Sequence, residues 1–198
     1  MTTAGSHSSH RPAKAQEIIA VAQSFIQNRG YNGFSFRDVA DAVGIKSASI
    51  HYHFPTKSDL VKEIISDYRA EFHLALDAID ARDLPGLEKL ERYAGLFENT
   101  LRKHGCVCLA GVLATEIESL DKNVRTEINA FFADQTKWLT KAIERGQTEG
   151  TINQAINAKK FAPAFVSSLE GAMIIARVTG SVKHLSNAAS QYLTMIKA

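Results

Sequence analysis

The sequence predicts an all-α protein of about nine helices, in which a small N-terminal three-helix module precedes a larger helical body. Three observations predict it. Apolar residues recur at three- and four-residue steps along most of the chain. Ser, Thr, Asp and Asn at helix starts, and Gly just beyond helix ends, bracket those stripes. No two alternating apolar segments face each other across a hairpin signal, so no strand pairing is expected.

Residues 1–11 are rich in Ser, Thr and His, lack periodicity and are expected to form a disordered arm. Pro12 opens the first helix, with Ile18, Ile19, Ala22, Phe25 and Ile26 on its stripe and Gly30 as its stop. Ser35 and Asp38 make a capping pattern for a second, two-turn helix that Gly44 ends. A third runs from about Lys46 to Tyr52 and stops before Pro55. Thr56 and Asp59 cap a long fourth helix to about Ala81, whose stripe includes Leu60, Val61, Ile64, Ile65, Phe72, Leu76 and Ile79. Asp83 is expected to cap a fifth helix over about 85–103, and a sixth is expected over about 107–119. Asp121 caps a seventh reaching Gly146, Asn157 opens an eighth to about Val182, and a ninth covers about 186–196. Domain boundaries are expected at 12–55 for the small module and 56–198 for the body.

Charge and composition exclude several classes. The net charge of +2 rules out a polycation, and its location is informative. Residues 1–60 hold six Lys/Arg against four Asp/Glu, while the remainder holds seventeen of each sign. No apolar run approaches the length of a membrane helix, the N-terminus lacks the apolar core of a secretory signal, and two cysteines make no disulfide framework. A reducing, cytoplasmic setting without membrane attachment is the expectation.

Residues 36–55 meet the steric needs of a helix-turn-helix. Ala40 lets two helices cross closely, and Gly44 tolerates the positive φ of a sharp turn. Val39, Val43, Ile45 and Ile50 fill the angle between the helices. Polar side chains then fall where a duplex would lie: Arg37 at the first helix, Lys46, Ser47 and Ser49 at the start of the second, His51, Tyr52 and His53 at its end, and Lys57 at the fourth helix. Such groups donate to phosphate oxygens, and Arg37 suits a bidentate guanine contact. Spacing alone is degenerate, since a polar helix face is by default only a solvated one.

Residues 30–60, and above all Gly44–Leu60 (GIKSASIHYHFPTKSDL), resemble the DNA-binding region of TetR/AcrR-type transcriptional repressors. The resemblance implies a homodimer with an N-terminal three-helix DNA-binding domain and a helical ligand-binding and dimerisation domain. It further implies that Ser35, Tyr52, His53 and Lys57 contact phosphates, while Arg37, Lys46, Ser47 and Ser49 face bases or the groove wall. Ala48 and His51 depart from the family, where glycine and tyrosine are frequent.

In the body, Gly105-Cys106-Val107-Cys108 follows Arg102, Lys103 and His104. If a helix starts here, Cys106 lies at its N-terminus beside cations, a setting that favours the thiolate and its reaction with electrophiles or oxidants. A Gly-Cys segment followed by an apolar helix and an acidic residue, here Glu116, also resembles a subgroup of the family, some members of which look like sensors of such compounds. The competing reading makes both cysteines small packing residues. Phe97, Leu101, Leu109, Leu113, Phe131 and Trp138 are core by default and could also line an apolar ligand cavity with Cys106, Cys108 and Glu116. His51/His53 and His104/Cys106/Cys108 diverge on helices, so neither a metal nor another cofactor is expected.

Phe161, Phe165, Ser168, Leu169, Ala172, Met173 and Ala176 place apolar and small residues where an eighth helix could enter a four-helix dimer interface. The expected function is a homodimeric repressor of a palindromic double-stranded DNA operator, released by a small molecule or an electrophile. A cysteine-dependent enzyme lacks a visible base and oxyanion site. A nonspecific architectural DNA binder conflicts with the near-neutral body.

Overall fold

The computed structural model describes residues 11–198, apart from the side chains of Lys103 and His104. Among them are nine α-helices: α1 (Ala13–Arg29), α2 (Phe36–Val43), α3 (Ser47–His53), α4 (Lys57–Asp80), α5 (Gly86–His104), α6 (Leu109–Thr115), α7 (Lys122–Thr148), α8 (Ala158–Thr179) and α9 (Lys183–Ile196). The described residues contain no strand; Ile152 and Lys197 form one isolated antiparallel bridge. The expected arm lies outside the described residues except for Arg11. That residue is held, its guanidinium paired with Glu63 and Asp67 of α4.

Local chemistry accounts for most helix ends. Ser35 and Asp38 close a reciprocal capping box on α2, and Thr56 and Asp59 do the same on α4. The Asn157 side chain accepts from Lys160 N at 3.1 Å to start α8. Gly44, Gly105 and Gly180 end α2, α5 and α8 in the left-handed region, at φ 71°, 60° and 67°. Three boundaries differ from expectation. Pro85, not Asp83, holds the cap position of α5; Asp83 instead adopts φ 49° and pairs with Arg145 at 2.9 Å. α6 is only seven residues long and gives way to a 3-10 turn at Ile117–Ser119. α9 begins at Lys183, ahead of the expected Ser186.

The chain packs as two compact units. One contains the described residues up to Phe72 together with Leu109–Asn129; the other contains His73–Cys108 and Ala130–Ala198. The expected division between 55 and 56 is therefore not where the packing divides. α6 packs against α1, and the first turns of α7 join the same unit. In that unit Ile18, Ile26, Val39, Ile50, Leu60, Ile64 and Leu113 are buried. Each such side chain contributes about 1.5–3 kcal/mol by leaving water.

In the other unit, α8 packs against α9 and α5. α5 approaches α7 through Gly86, where an added Cβ would lie 2.3 Å from Ala142 O. α8 is long and apolar enough to cross a membrane by length and composition, contrary to the sequence expectation. Its Phe165, Val166, Leu169, Ala172, Met173 and Ala176 are nevertheless buried within this unit. Of the residues expected at a dimer face, Phe165, Leu169, Ala172, Met173 and Ala176 are covered inside one chain. Phe161 belongs to an aromatic cluster with Phe165 and Tyr192, and Ser168 is half-buried. The exposed apolar residues of α8 are Ile174, Ile175 and Val178. The reason is helical phase: the small residues at four-residue steps admit α5 and α9, and the opposite stripe is left outside.

Candidate nucleic-acid interface

The short helices α2 and α3 form the candidate site. Val39, Ala40, Val43 and Ile50 are buried between them and α1, which fixes the crossing and turns the remaining positions outward. Gly44 makes the turn, and its N–H donates to Ala40 O. Arg37, Lys46, Ser49, His51 and Tyr52 are exposed, with Tyr52 at 85%; Ser47 and His53 are half-buried. Ala48 is exposed as well, so its methyl, rather than the glycine frequent in the family, lies on this face.

These groups differ in what their polar atoms already do. Arg37 and Lys46 form no ion pair among the described residues, which leaves their donors to a ligand. The Tyr52 ring meets His53 edge-on, 5.1 Å between centroids. His51 is held by an edge contact with Phe36 at 4.9 Å and by Nδ1 at 3.1 Å from Pro55 O. A carbonyl can only accept, so Nδ1 carries a proton and is the donor in this contact. The Ser35 hydroxyl donates to Asp38 Oδ2 at 2.6 Å and accepts from Asp38 N at 3.4 Å; the hydroxyl, with the Ser35 N–H that donates to the same carboxylate oxygen at 2.7 Å, holds the Asp38 carboxyl below its ordinary pKa. Ser35 thus serves first as a helix cap.

Lys57 departs furthest from expectation. Its ammonium donates to Tyr31 O at 2.6 Å and to Phe34 O, and lies 4.5 and 4.1 Å from the Tyr31 and Phe34 ring centroids. Burial pushes its pKa down. The charge faces the turn between α1 and α2 rather than open solvent.

The expected sensor residues are divided between the units. Leu109, Leu113 and Glu116 lie in the first; Phe97, Leu101, Cys106, Cys108, Phe131 and Trp138 lie in the second. Glu116 does not await a ligand, because its carboxylate accepts from Tyr31 N, Asn32 N and Asn32 Nδ2 at 2.6, 3.0 and 2.7 Å. Cys106 is not at a helix N-terminus: α6 starts at Leu109, after a non-helical segment at 106–108. Both thiols are reduced and covered, Cys106 at 7% and Cys108 at 3% exposure. Trp138 stacks on Tyr93 and donates to Asp80 Oδ2 at 2.9 Å, in the wall of a cleft of about 440 Å³ that Lys89 and Arg145 also line.

Sequence reasoning missed Glu170. It is half-buried on α8, in helical phase with Val166 and Met173, and burial pushes its carboxyl up to about 7 despite a hydrogen bond from the Cys108 thiol. Among the described residues its Oε1 has no hydrogen-bond partner. The signal was a lone acid on an apolar helical stripe.

Comparison with known proteins decides what this arrangement belongs to. Residues 18–64 match the family model described as bacterial regulatory proteins, tetR family, and residues 86–192 match the tetracyclin repressor-like C-terminal domain. The chain belongs to the TetR family. A TetR-family transcriptional regulator from Agrobacterium tumefaciens is 35% identical, with TM-score 0.90 over 94% of this chain and 98% of that one. A TetR regulator from Legionella pneumophila is 32% identical, with TM-score 0.83 over 95% and 100% of the two chains. The HTH-type transcriptional repressor DhaR of Mycobacterium sp. strain GP1 is 23% identical over 91% of this chain and 89% of its own. As a TetR-family member the protein is a DNA-binding transcription regulator and not an enzyme. The first matched segment contains α2, α3 and the start of α4, which carry the exposed polar face.

Proposed function

We propose that the protein is a cytoplasmic homodimeric repressor whose two α3 helices read half-sites of a palindromic operator. The observation that carries this reading is the open polar face of α2 and α3, with Arg37, Lys46 and Tyr52 presented on a rigid, apolar-backed helix pair. Arg37 and Lys46 supply guanidinium and ammonium donors, Ser47 and Ser49 hydroxyls at the start of α3, and Tyr52 and His53 the phosphate contacts at its end. Two-fold symmetry brings the helices onto successive turns of one DNA face. The repressor name of DhaR supports the sign of regulation. The exposed apolar residues Ile174, Ile175 and Val178 of α8 supply the surface for a second copy.

Release from the operator requires an effector that binds the free conformation better than the DNA-bound one. The covered state of both thiols favours a reversible ligand, with the cysteines as packing residues, over direct attack on Cys106 by an electrophile. The purified protein should protect a discrete segment of its own promoter region from nuclease and bind random duplex far more weakly. Equal affinity for both would leave only a nonspecific binder. On the same DNA, release by electrophiles or hypochlorite that disappears in Cys106→Ser would assign the trigger to the thiol; unchanged release would assign it to a ligand.

A further inference from the structure

The turn between α1 and α2 is gripped on both polar sides of its backbone. The Tyr31 and Asn32 N–H groups donate to Glu116 Oε1 and Oε2, at 2.6 and 3.0 Å, and Asn32 Nδ2 donates to Glu116 Oε2 at 2.7 Å and Ser119 Oγ at 3.0 Å. The Tyr31 and Phe34 carbonyls accept from the Lys57 ammonium. An anion thus takes the amides and a cation the carbonyls of the same five residues. Gly30 admits the carboxylate: it stands at φ 81°, and a Cβ there would lie 2.1 Å from Glu116 Oε1. Hydrogen bonds to an ionised group are about twice as strong as neutral ones, and an amide deprived of its acceptor loses more than the mean bond.

The placement of the two gripping residues gives the contact a consequence. Lys57 opens α4, and Glu116 directly follows α6. The gripped turn ends at Phe34, and Ser35 is the N-cap of α2. α6 itself packs against α1 in the same compact unit.

We propose that Glu116 is a positioning residue for operator recognition, holding the Gly30–Phe34 turn so that the entry of α2 follows α6 as well as α4. The inference rests on the reading of α2 and α3 as the DNA-contacting pair. It gives α6 an attachment to the reading helices that does not pass through α4. A shift of α6 withdraws an acceptor from two backbone amides, and the turn must follow or lose both bonds.

The test uses the full-length protein and its Glu116→Ala, Glu116→Gln, Gly30→Ala and Arg37→Ala variants. Three quantities are measured: amide hydrogen exchange, thermal midpoint, and affinity for a promoter fragment against random duplex of equal length. In Glu116→Ala, exchange at Tyr31 and Asn32 is expected to accelerate roughly ten- to a hundredfold while α8 amides stay as protected as before. The promoter-to-random affinity ratio is expected to fall by about tenfold. Glu116→Gln, which keeps one carbonyl oxygen, falls between, and Gly30→Ala reproduces Glu116→Ala by pushing the carboxylate away. A merely structural role would lower the midpoint and protection throughout while leaving the ratio alone, and that result overturns the proposal. So does unchanged exchange at Tyr31 and Asn32. If Arg37→Ala also leaves the ratio intact, the DNA-reading assignment has failed and the proposal fails with it; an Arg37 effect without a Glu116 effect removes only the positioning role.

Discussion

Arg37 and Lys57 are both cations in the DNA-binding segment, and their surroundings give them opposite employment. Arg37 is exposed and forms no ion pair among the described residues, so Arg37→Ala is expected to cost about 1–3 kcal/mol of operator binding and to relax specificity at one base position. Competition binding against single-base operator variants measures both. Glu170 offers a second residue-scale prediction, in stability. Its carboxyl titrates at about 7 in the fold against an ordinary 4.5, so the folded chain binds more protons than the unfolded one between those values. Its favourable contribution is complete below about pH 4.5 and is lost as pH rises through 7. The full swing is on the order of 3 kcal/mol. Glu170→Gln should flatten that stretch of the stability–pH curve and be at least as stable as the parent at pH 8, as read by denaturant midpoints across pH. A parallel, merely displaced curve would count against Glu170 as the titrating group.

At the scale of elements, short helices depend on their ends and on their packing. α2 has eight residues and α3 seven, below the length at which an isolated helix is stable in water. The turn between them rests on Gly44 at φ 71°, and a methyl added there would meet nothing within 4 Å. Gly44→Ala therefore carries a backbone cost without a clash, about 1–2 kcal/mol, and Gly44→Asn much less. Thermal denaturation of both variants checks the order. The caps of α2 and α4 were legible because Ser35/Asp38 and Thr56/Asp59 satisfy amides within one turn, a chemistry that needs no distant partner. The ends of α5 and α6 were not. Asp83 is drawn to Arg145, far along the chain, and the 106–108 segment is non-helical where its own composition suggested a helix start.

At the scale of the whole molecule, the exposed stripe of α8 has the chemistry of an interface. Val178 is 82% exposed beside Ile174 and Ile175, and all three follow the buried stripe by the geometry of one helix. Val178→Asp places a charge where two apolar surfaces would meet. It is expected to halve the mass seen by sedimentation equilibrium and to weaken promoter binding by about a hundredfold or more, because the second half-site is no longer held at high effective concentration. Retained dimer mass with full promoter affinity would move the interface elsewhere.

The sequence by itself determined the helical class, the order of the helices and the helix-turn-helix, because periodicity, capping boxes and Gly44 are local and act over one or two turns. It also marked the residues of the exposed polar face, since their placement follows from helical phase once Val39, Ala40 and Ile50 are inside. Only the tertiary structure decided which stripe of α8 is buried, which unit α6 joins, and what Lys57, Glu116 and Glu170 do. Each of those outcomes depends on a partner far along the chain. Glu116 meets Tyr31 across eighty-five positions, and Lys57 meets the same residue across twenty-six. No pattern confined to one helix encodes that a carboxylate and an ammonium will converge on a single turn.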